Sequence, residues 1–153
     1  MKTEHYQSNS SKHQIAAPPC RCRILVMDDE EVVLQLLDRI LSKAGYEAAL
    51  ARNGTEALKL YLNAEKSGAS FDAVILDLIM PDEMGGKEVM EKLLEINPEV
   101  KAIISSGYVN ESAMPNFKDY GFMAMVAKPY DIRKMLEALH DILNKNGRPS
   151  FSP

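Results

Sequence analysis

The sequence predicts an α/β fold in which a doubly wound, five-stranded parallel sheet carries helices on both faces. Two observations lead to this prediction. Short apolar runs alternate five times with segments whose apolar residues recur at helical spacing. Three of the runs end in charged residues, as buried parallel strands do when their carboxyl ends open on a site. Right-handed crossovers between such strand–helix pairs cover both faces of the sheet.

The strands are assigned from the apolar runs. The predicted strands are 23–27, 47–51, 73–76, 102–105 and 123–127. Each is short enough for a strand and too short for a helix, and their order along the chain alternates with the helical segments described next.

Apolar stripes at helical spacing define the helices between these strands. The first stripe ends near Gly45, the third helix opens at Gly85-Gly86 and ends at Asn97-Pro98, and the last helix covers 131–144. The segment 112–120 contains Pro115 and is expected to be short or irregular. The stripe residues are Val32, Val33, Leu36, Leu37, Ile40 and Leu41 in the first helix, Ala57, Leu58, Leu60 and Tyr61 in the second, and Val89, Met90, Leu93 and Leu94 in the third.

Length and charge predict one ordered domain, 23–144, between two tails. Residues 1–22 are rich in polar side chains and contain Pro18-Pro19 near their end, which predicts a flexible tail. Residues 145–153 are expected to form a second flexible tail. The net charge of -4 argues against nucleic acid as a partner. The chain has no apolar run of membrane-spanning length and no secretory signal at its N-terminus, so we expect no membrane association and a cytoplasmic protein.

Charged residues close three of the predicted strands. Asp28-Asp29 follow the first strand, Asp77 follows the third, and Lys128 follows the fifth. Ligands of such sheets bind beyond the carboxyl ends of the strands, so these side chains are expected to meet there. Two carboxylates about 4 Å apart repel by about 4 kcal/mol at an effective dielectric of about 20. A cation that prefers oxygen ligands, such as Mg²⁺, relieves that repulsion.

The chemistry predicted for this cluster is phosphoryl acceptance. Asp77 is the candidate nucleophile, because a carboxylate attacks phosphorus to form an acyl phosphate. Lys128 is expected to contact one phosphoryl oxygen as a point charge, and the hydroxyl of Ser106 is expected to contact another. Each residue also has a structural explanation when taken singly. Asp28 or Asp29 fits a helix N-cap, and Asp77, Ser106 and Lys128 fit turns or surface corners.

The chain resembles the receiver domains of two-component response regulators, over about 23–144. The resemblance implies a flavodoxin-like sheet of order 2-1-3-4-5. It rests on four motifs in order, Val26-Met27-Asp28-Asp29-Glu30, Ile75-Leu76-Asp77-Leu78-Ile79-Met80-Pro81, Ser105-Ser106-Gly107-Tyr108 and Ala127-Lys128-Pro129-Tyr130.

The resemblance also implies roles for the site residues. Asp77 is then the phosphoacceptor, Ser106 the switch hydroxyl, and Lys128 completes the pocket, with a cis peptide before Pro129. The Mg²⁺ ligands it implies are Asp28, Asp29, Asp77 and the backbone carbonyl of Ile79. The implied phosphodonor is a sensor histidine kinase or a phosphotransfer protein.

The chain departs from the usual receiver pattern at three places. Met125 stands where the family often has Tyr or Phe, which puts the usual coupling to the output face in doubt. The loop 81–86 is one residue longer than the commoner form and resembles receivers attached to hybrid sensor kinases. Ile79 and Tyr108 flank the acceptor where other receivers carry polar groups, so we expect slow self-dephosphorylation. A phosphoryl half-life of seconds would contradict that expectation.

The function that these patterns favour is a phosphorylation-dependent signalling switch and not an enzyme with a turnover substrate. Output by protein contact or by phosphorelay is expected, with a contact surface around Tyr108, Tyr130 and the last helix. A docking module that is independent of phosphorylation remains an alternative. A less favoured alternative is an Asp-nucleophile, Mg²⁺-dependent phosphatase, which would carry a second acid where this chain has Ile79.

Overall fold

The computed structural model of the protein describes residues 21–81, 83–107 and 116–145, which are built around a five-stranded sheet. All its neighbouring strands pair in parallel. The strands are β1 (Arg23–Met27), β2 (Glu47–Ala51), β3 (Ala73–Asp77), β4 (Ala102–Ser106) and β5 (Ala124–Ala127). Their order in the sheet is β2-β1-β3-β4-β5, which confirms the fold class and the order that the receiver resemblance implied.

The helices cover both faces of this sheet because alternate residues of each strand point to opposite sides. The helices are α1 (Glu31–Lys43), α2 (Gly54–Ser67), α3 (Gly86–Ile96) and α4 (Ile132–Asn144). One apolar layer joins the sheet to α2 and α3, and the other joins it to α1 and α4. A 3-10 turn lies at Phe117–Tyr120. In the part of the chain that the structure describes, no helix is both long enough and apolar enough to pass through a bilayer.

Side-chain caps start two of the helices where the sequence changes from strand to helix. The side chain of Asn53 accepts the Glu56 N–H at 2.8 Å and starts α2. The side chain of Asp131 accepts the Lys134 N–H at 3.1 Å and starts α4. Helix α4 therefore begins four residues after Lys128 and is held close to the carboxyl edge of the sheet.

Glycines bring the start of α3 against the end of β3. A Cβ atom on Gly86 would lie 2.7 Å from the backbone oxygen of Asp77 and 2.7 Å from Cδ1 of Ile104. A Cβ atom on Gly85 would lie 2.7 Å from the backbone oxygen of Leu78. Only residues without a side chain allow this approach, so the Gly85-Gly86 pair sets the distance between α3 and the strand that carries Asp77.

The stripe predicted for α1 is wider than the surface that the helix buries. Leu34, Leu37, Ile40 and Leu41 are buried, whereas Val32 is 76% exposed and Leu36 is 43% exposed. The prediction that Val32 and Leu36 lie on the core-facing stripe is therefore wrong. The layer over the sheet accommodates only the residues that project towards it.

The ends of several predicted segments also differ from the structure. Strands β3 and β4 each extend one residue further than predicted, so Asp77 and Ser106 are strand residues. Cys22, assigned from sequence to the tail, is buried, and its carbonyl accepts the Glu47 N–H at 3.0 Å. The predicted segment 112–120 is described only from residue 116, and most of the predicted tails likewise lie outside the described residues.

Candidate functional site

The candidate site lies at the carboxyl edge of the three central strands and β5. Asp28 directly follows β1, Asp77 is the last residue of β3, and Lys128 directly follows β5. Strand β4 lies between β3 and β5, and the parallel register brings all four ends to the same edge. Residues separated by as many as 100 positions in the sequence are thereby in direct contact.

A lysine ammonium joins two buried carboxylates at this edge. Nζ of Lys128 lies 2.5 Å from Oδ2 of Asp28 and 3.3 Å from Oδ2 of Asp77. The side chains are 15%, 1% and 7% exposed, respectively, so water screens these charges poorly. The second oxygen of Asp28 accepts the Glu30 N–H at 2.9 Å, which fixes the orientation of that carboxylate.

A third carboxylate completes an acidic cluster. Ligand oxygens of Asp28, Asp29 and Asp77 all lie within 4.8 Å of one another. Asp28 and Asp77 are buried, whereas Asp29 is exposed and opens the cluster to solvent. Carboxylate oxygens at this spacing fit a hard divalent cation such as Mg²⁺, which takes one or two protein carboxylates and retains several waters. Thus the donor set suits the cation that the sequence predicted.

Burial and crowding of like charges raise the pKa of Asp77 to about 6. Burial is the largest cause, and the negative charge of Asp28 acts in the same direction, whereas Lys128 and the Ile79 N–H act against it. Burial lowers the pKa of Lys128, but its hydrogen bond to Asp28 and its attraction to Tyr130, Asp77 and Asp28 outweigh burial and raise it. The ammonium thus stays charged, and one cation faces three carboxylates.

Backbone hydrogen bonds anchor the loops that carry the site to the end of β4. The Leu78 N–H donates to the Ser105 oxygen at 2.8 Å. The Lys128 N–H donates to the Ser106 oxygen at 2.8 Å. The side chain of Ser106 itself is buried at the end of β4. The residues after Asp77 and the residues around Lys128 are therefore fixed to the same strand on its two sides.

One polar contact at this edge was not foreseen from the sequence. The hydroxyl of Tyr130 donates to Oγ of Ser105 at 3.1 Å. Ser105 is buried and lies in register with Asp77 in the β3–β4 pair. From the sequence we expected Tyr130 on a contact surface, but its side chain is half-buried and its hydroxyl is directed into the protein. In the sequence, this contact is indicated only by Tyr130 after Lys128-Pro129 and by Ser105 directly before Ser106.

The remaining predicted residues lie at the edge of this cluster or outside the described part of the chain. Ile79 has an exposed side chain, and its N–H bonds to the Asp77 carboxylate. The peptide bond before Pro129 is cis, as predicted. Met125 is partly buried and packs with the layer under α2 and α3. Tyr108 lies outside the described residues.

The chain matches the response regulator receiver domain family over residues 24–140. It is 35% identical over 115 residues to a response regulator receiver protein of Anaeromyxobacter sp., covering 75% of this chain and 46% of that protein. It is 31% identical over 121 residues to the chemotaxis protein CheY of Thermotoga maritima, covering 78% of this chain and 96% of CheY. The chain therefore spans less than half the length of the Anaeromyxobacter protein and nearly all of the Thermotoga maritima CheY.

The solved structures give the same result as the sequence relatives. The crystal structure of a complex containing CheX, CheY, BeF3 and Mg²⁺ from Borrelia burgdorferi includes a chain that matches this one with a TM-score of 0.73 and 25% identity. The match covers 81% of this chain and 90% of that one. With the strand order and the four sequence motifs, these matches show that the chain belongs to the response regulator receiver domain family of two-component systems.

Proposed function

We propose that the protein is a phosphorylation-dependent signalling switch that accepts a phosphoryl group on Asp77. The single observation that carries the proposal is the joining of Asp28, Asp77 and Lys128 at the carboxyl edge of the sheet, with Asp29 at the mouth. Buried like charges held together at a cost to stability are typical of a site selected for chemistry and not for packing.

The proposed reaction is a transfer from a phosphohistidine to Asp77. A carboxylate oxygen of Asp77 forms a bond to phosphorus while the phosphorus–nitrogen bond breaks and its electron pair returns to the imidazole. Lys128 neutralises one phosphoryl oxygen, and the hydroxyl of Ser106 donates a hydrogen bond to another. Lys128 already contacts the acceptor carboxylate, so it needs only a small movement to follow the incoming charge.

Asp28, Asp29, Asp77 and the backbone carbonyl of Ile79 are proposed to hold Mg²⁺. The ion would neutralise part of the charge of the carboxylates and of the phosphoryl group. This proposal accounts for an otherwise unbalanced cluster of three carboxylates around one ammonium. The apolar side chain of Ile79 is 46% exposed beside the acceptor and cannot guide a water, which supports slow self-dephosphorylation.

The phosphodonor is proposed to be a histidine kinase or a phosphotransfer protein in the cytoplasm that docks around the mouth of the site. Exposed apolar residues follow three of the strand ends that form the mouth. They are Val32 at the start of α1, Ile79 after β3 and Ile132 at the start of α4, and Leu36 extends the α1 patch by one turn. An exposed apolar rim around a charged centre is the usual composition of a surface for transient protein contact.

The output is proposed to be a protein contact or a further phosphotransfer, and the protein is proposed to have no turnover substrate. Helix α4 begins next to the loop that carries Lys128, so a change in the position of that lysine is transmitted to the helix directly. Phosphorylation then shifts the population between two arrangements of this region.

Intact mass spectrometry after incubation with acetyl phosphate and Mg²⁺ tests the proposal. The parent protein should gain one phosphoryl group, and the gain should be lost in Asp77→Ala and on chelation of the metal. Asp72→Ala is the matched control, because Asp72 is an exposed aspartate that directly precedes the opposite end of the same strand. It should be phosphorylated like the parent.

Two results would overturn this proposal. Absence of any mass gain in the parent protein would favour the docking module that works without phosphorylation. Continuous release of phosphate from a phosphomonoester by the parent protein, abolished in Asp77→Ala, would favour the phosphatase.

A further inference from the structure

We propose that Tyr130 and Ser105 form a positioning pair that holds Lys128 over Asp77. The pair is the hydrogen bond from the Tyr130 hydroxyl to Oγ of Ser105, 3.1 Å long. Neither residue belongs to the acidic cluster or contacts the phosphoryl group in the function proposed above. Their role is to fix the loop from which the lysine extends, and it rests on the proposed phosphorylation of Asp77.

Ser105 occupies the central place between the two strands that carry the reacting groups. It pairs in register with Asp77 of β3 on one side and with Val126 of β5 on the other. Registered residues of parallel strands point to the same face, and residues two apart along a strand do so as well. Lys128 is two residues beyond Val126, so Asp77, Ser105 and Lys128 share one face of the sheet edge.

The hydrogen bond closes a small ring around the lysine. Starting from Ser105, the ring passes across the sheet to β5, along the chain through Lys128 and Pro129 to Tyr130, and back through the phenol hydroxyl. The Lys128 N–H is independently bonded to the backbone oxygen of Ser106. Two attachments to β4, one on each side of Pro129, thus hold the loop.

Fixing the loop matters because a lysine side chain cannot fix itself. The ammonium is carried by a flexible four-carbon stem, so its position depends on where the backbone is held. Phosphoryl transfer relies mainly on positioning and on charge stabilisation, and small displacements of a charged group reduce the rate severalfold or more. A buried serine and a half-buried tyrosine that bond to each other next to this lysine supply the required constraint.

The structure offers a matched control on another helix layer. The hydroxyl of Tyr61 accepts a hydrogen bond from Nδ2 of Asn97 at 3.0 Å. Tyr61 packs in the layer of α2 and α3, whereas Tyr130 packs in the layer of α1 and α4. Tyr61→Phe also removes the hydrogen bond of a phenol hydroxyl, here one that accepts, without touching the loop of Lys128.

The test compares Tyr130→Phe, Ser105→Ala, the double variant and Tyr61→Phe. The rate constant for phosphorylation by acetyl phosphate is measured with saturating Mg²⁺, and the stability of each variant is measured by denaturant unfolding. We expect Tyr130→Phe and Ser105→Ala each to slow phosphorylation by about fivefold, and the double variant to be no slower than either, because both remove the same bond. Tyr61→Phe should lose a similar amount of stability and keep the parent rate.

A second measurement does not depend on phosphorylation. In the metal-free protein, the ammonium protons of Lys128 are held by Asp28 and Asp77, and their exchange with water is followed by NMR. Exchange should accelerate severalfold in Tyr130→Phe and Ser105→Ala and stay at the parent rate in Tyr61→Phe.

The outcomes separate this inference from the proposed function. A parent rate of phosphorylation in Tyr130→Phe, or a double variant whose loss is the product of the two single losses, would overturn the positioning pair. Unchanged ammonium exchange in Tyr130→Phe would overturn it as well. A parent protein that is never phosphorylated, but whose variants show the faster exchange, would instead overturn the proposed function and leave the pair standing.

Discussion

Strands β1 and β3 have charged residues at both ends, and the exposure of those charges to water differs between the two ends. At the amino end, the backbone N–H of Arg23 donates to Oδ2 of Asp72 at 2.7 Å, and its Nε lies 3.3 Å from Oε1 of Glu47. Its guanidinium also donates to the Ala69 oxygen and lies over the ring of Phe71. The side chains of Arg23 and Glu47 are 27% and 70% exposed, so water reaches this end.

At the carboxyl end of the same strands, two of the three carboxylates lie away from water, and Asp29 is exposed. Asp28 and Asp77 are buried, and a single ammonium lies between them. Exposed ion pairs contribute little to stability because water screens them and the side chains lose freedom when they pair. Buried charges are costly unless they are fully paired. The charges at the amino end therefore lie in contact with water, whereas those of Asp28 and Asp77 at the carboxyl end are buried even though burial of charge lowers stability.

Removal of the central cation should have the largest effect. In Mg²⁺-free buffer we expect Lys128→Met to lower the free energy of unfolding by about 3 kcal/mol, because it leaves two buried carboxylates without their partner. Addition of Mg²⁺ should restore part of the loss. Denaturant unfolding with and without the metal measures both effects, and equal stability of parent and variant would show that the cluster is not under electrostatic strain.

Removal of the Asp77 charge should change the free energy of unfolding in the opposite direction and by a smaller amount. The pKa of Asp77 is raised from 3.8 to about 6, so folding favours its protonated form. The stability that this proton contributes is complete below about pH 4 and is lost as the pH rises through about 6. In Mg²⁺-free buffer at neutral pH, Asp77→Asn should therefore be more stable than the parent by about 2 kcal/mol.

Unfolding measured across the same pH range checks the sign of that effect. The difference between Asp77→Asn and the parent should grow between about pH 4 and 6 and stay constant above, as the pKa of Asp77 requires. A difference that does not depend on pH would mean that the carboxylate is hydrated in the folded protein.

The amino end should respond least. Glu47→Gln removes the exposed partner of Arg23 and should lower the free energy of unfolding by less than about 0.5 kcal/mol. The loss should disappear in about 1 M salt, which screens exposed pairs. A loss as large as that of Lys128→Met would remove the contrast between the two ends.

Much of the fold was predictable because local patterns and global topology agree. Short apolar runs closed by Asp28-Asp29, Asp77 and Lys128 identify buried parallel strands and also identify the edge where their ends meet. The strand order could not be predicted from apolar runs alone. It followed from the resemblance of the four sequence motifs to receiver domains. Apolar spacing alone could not give the buried face of α1, because Val32 and Leu36 satisfy the same helical spacing and are nevertheless exposed.

The parts of the site that could not be predicted depend on register. The partner of Tyr130 is decided by how β4 and β5 align, and that alignment places Ser105 opposite Val126. The contacts of Lys128 also follow from the assembled sheet, where the nearer carboxylate is that of Asp28 and not that of Asp77. No residue type near Lys128 in the sequence carries this information.

The Gly85-Gly86 pair has a mechanical consequence for signalling. Elsewhere in the layers, side chains separate helix from strand and can absorb a displacement by changing rotamer. At Gly86 the helix backbone meets the carbonyl of Asp77 without a side chain between them. We therefore expect a shift of that carbonyl to displace the start of α3, because no side chain lies between them that could change rotamer.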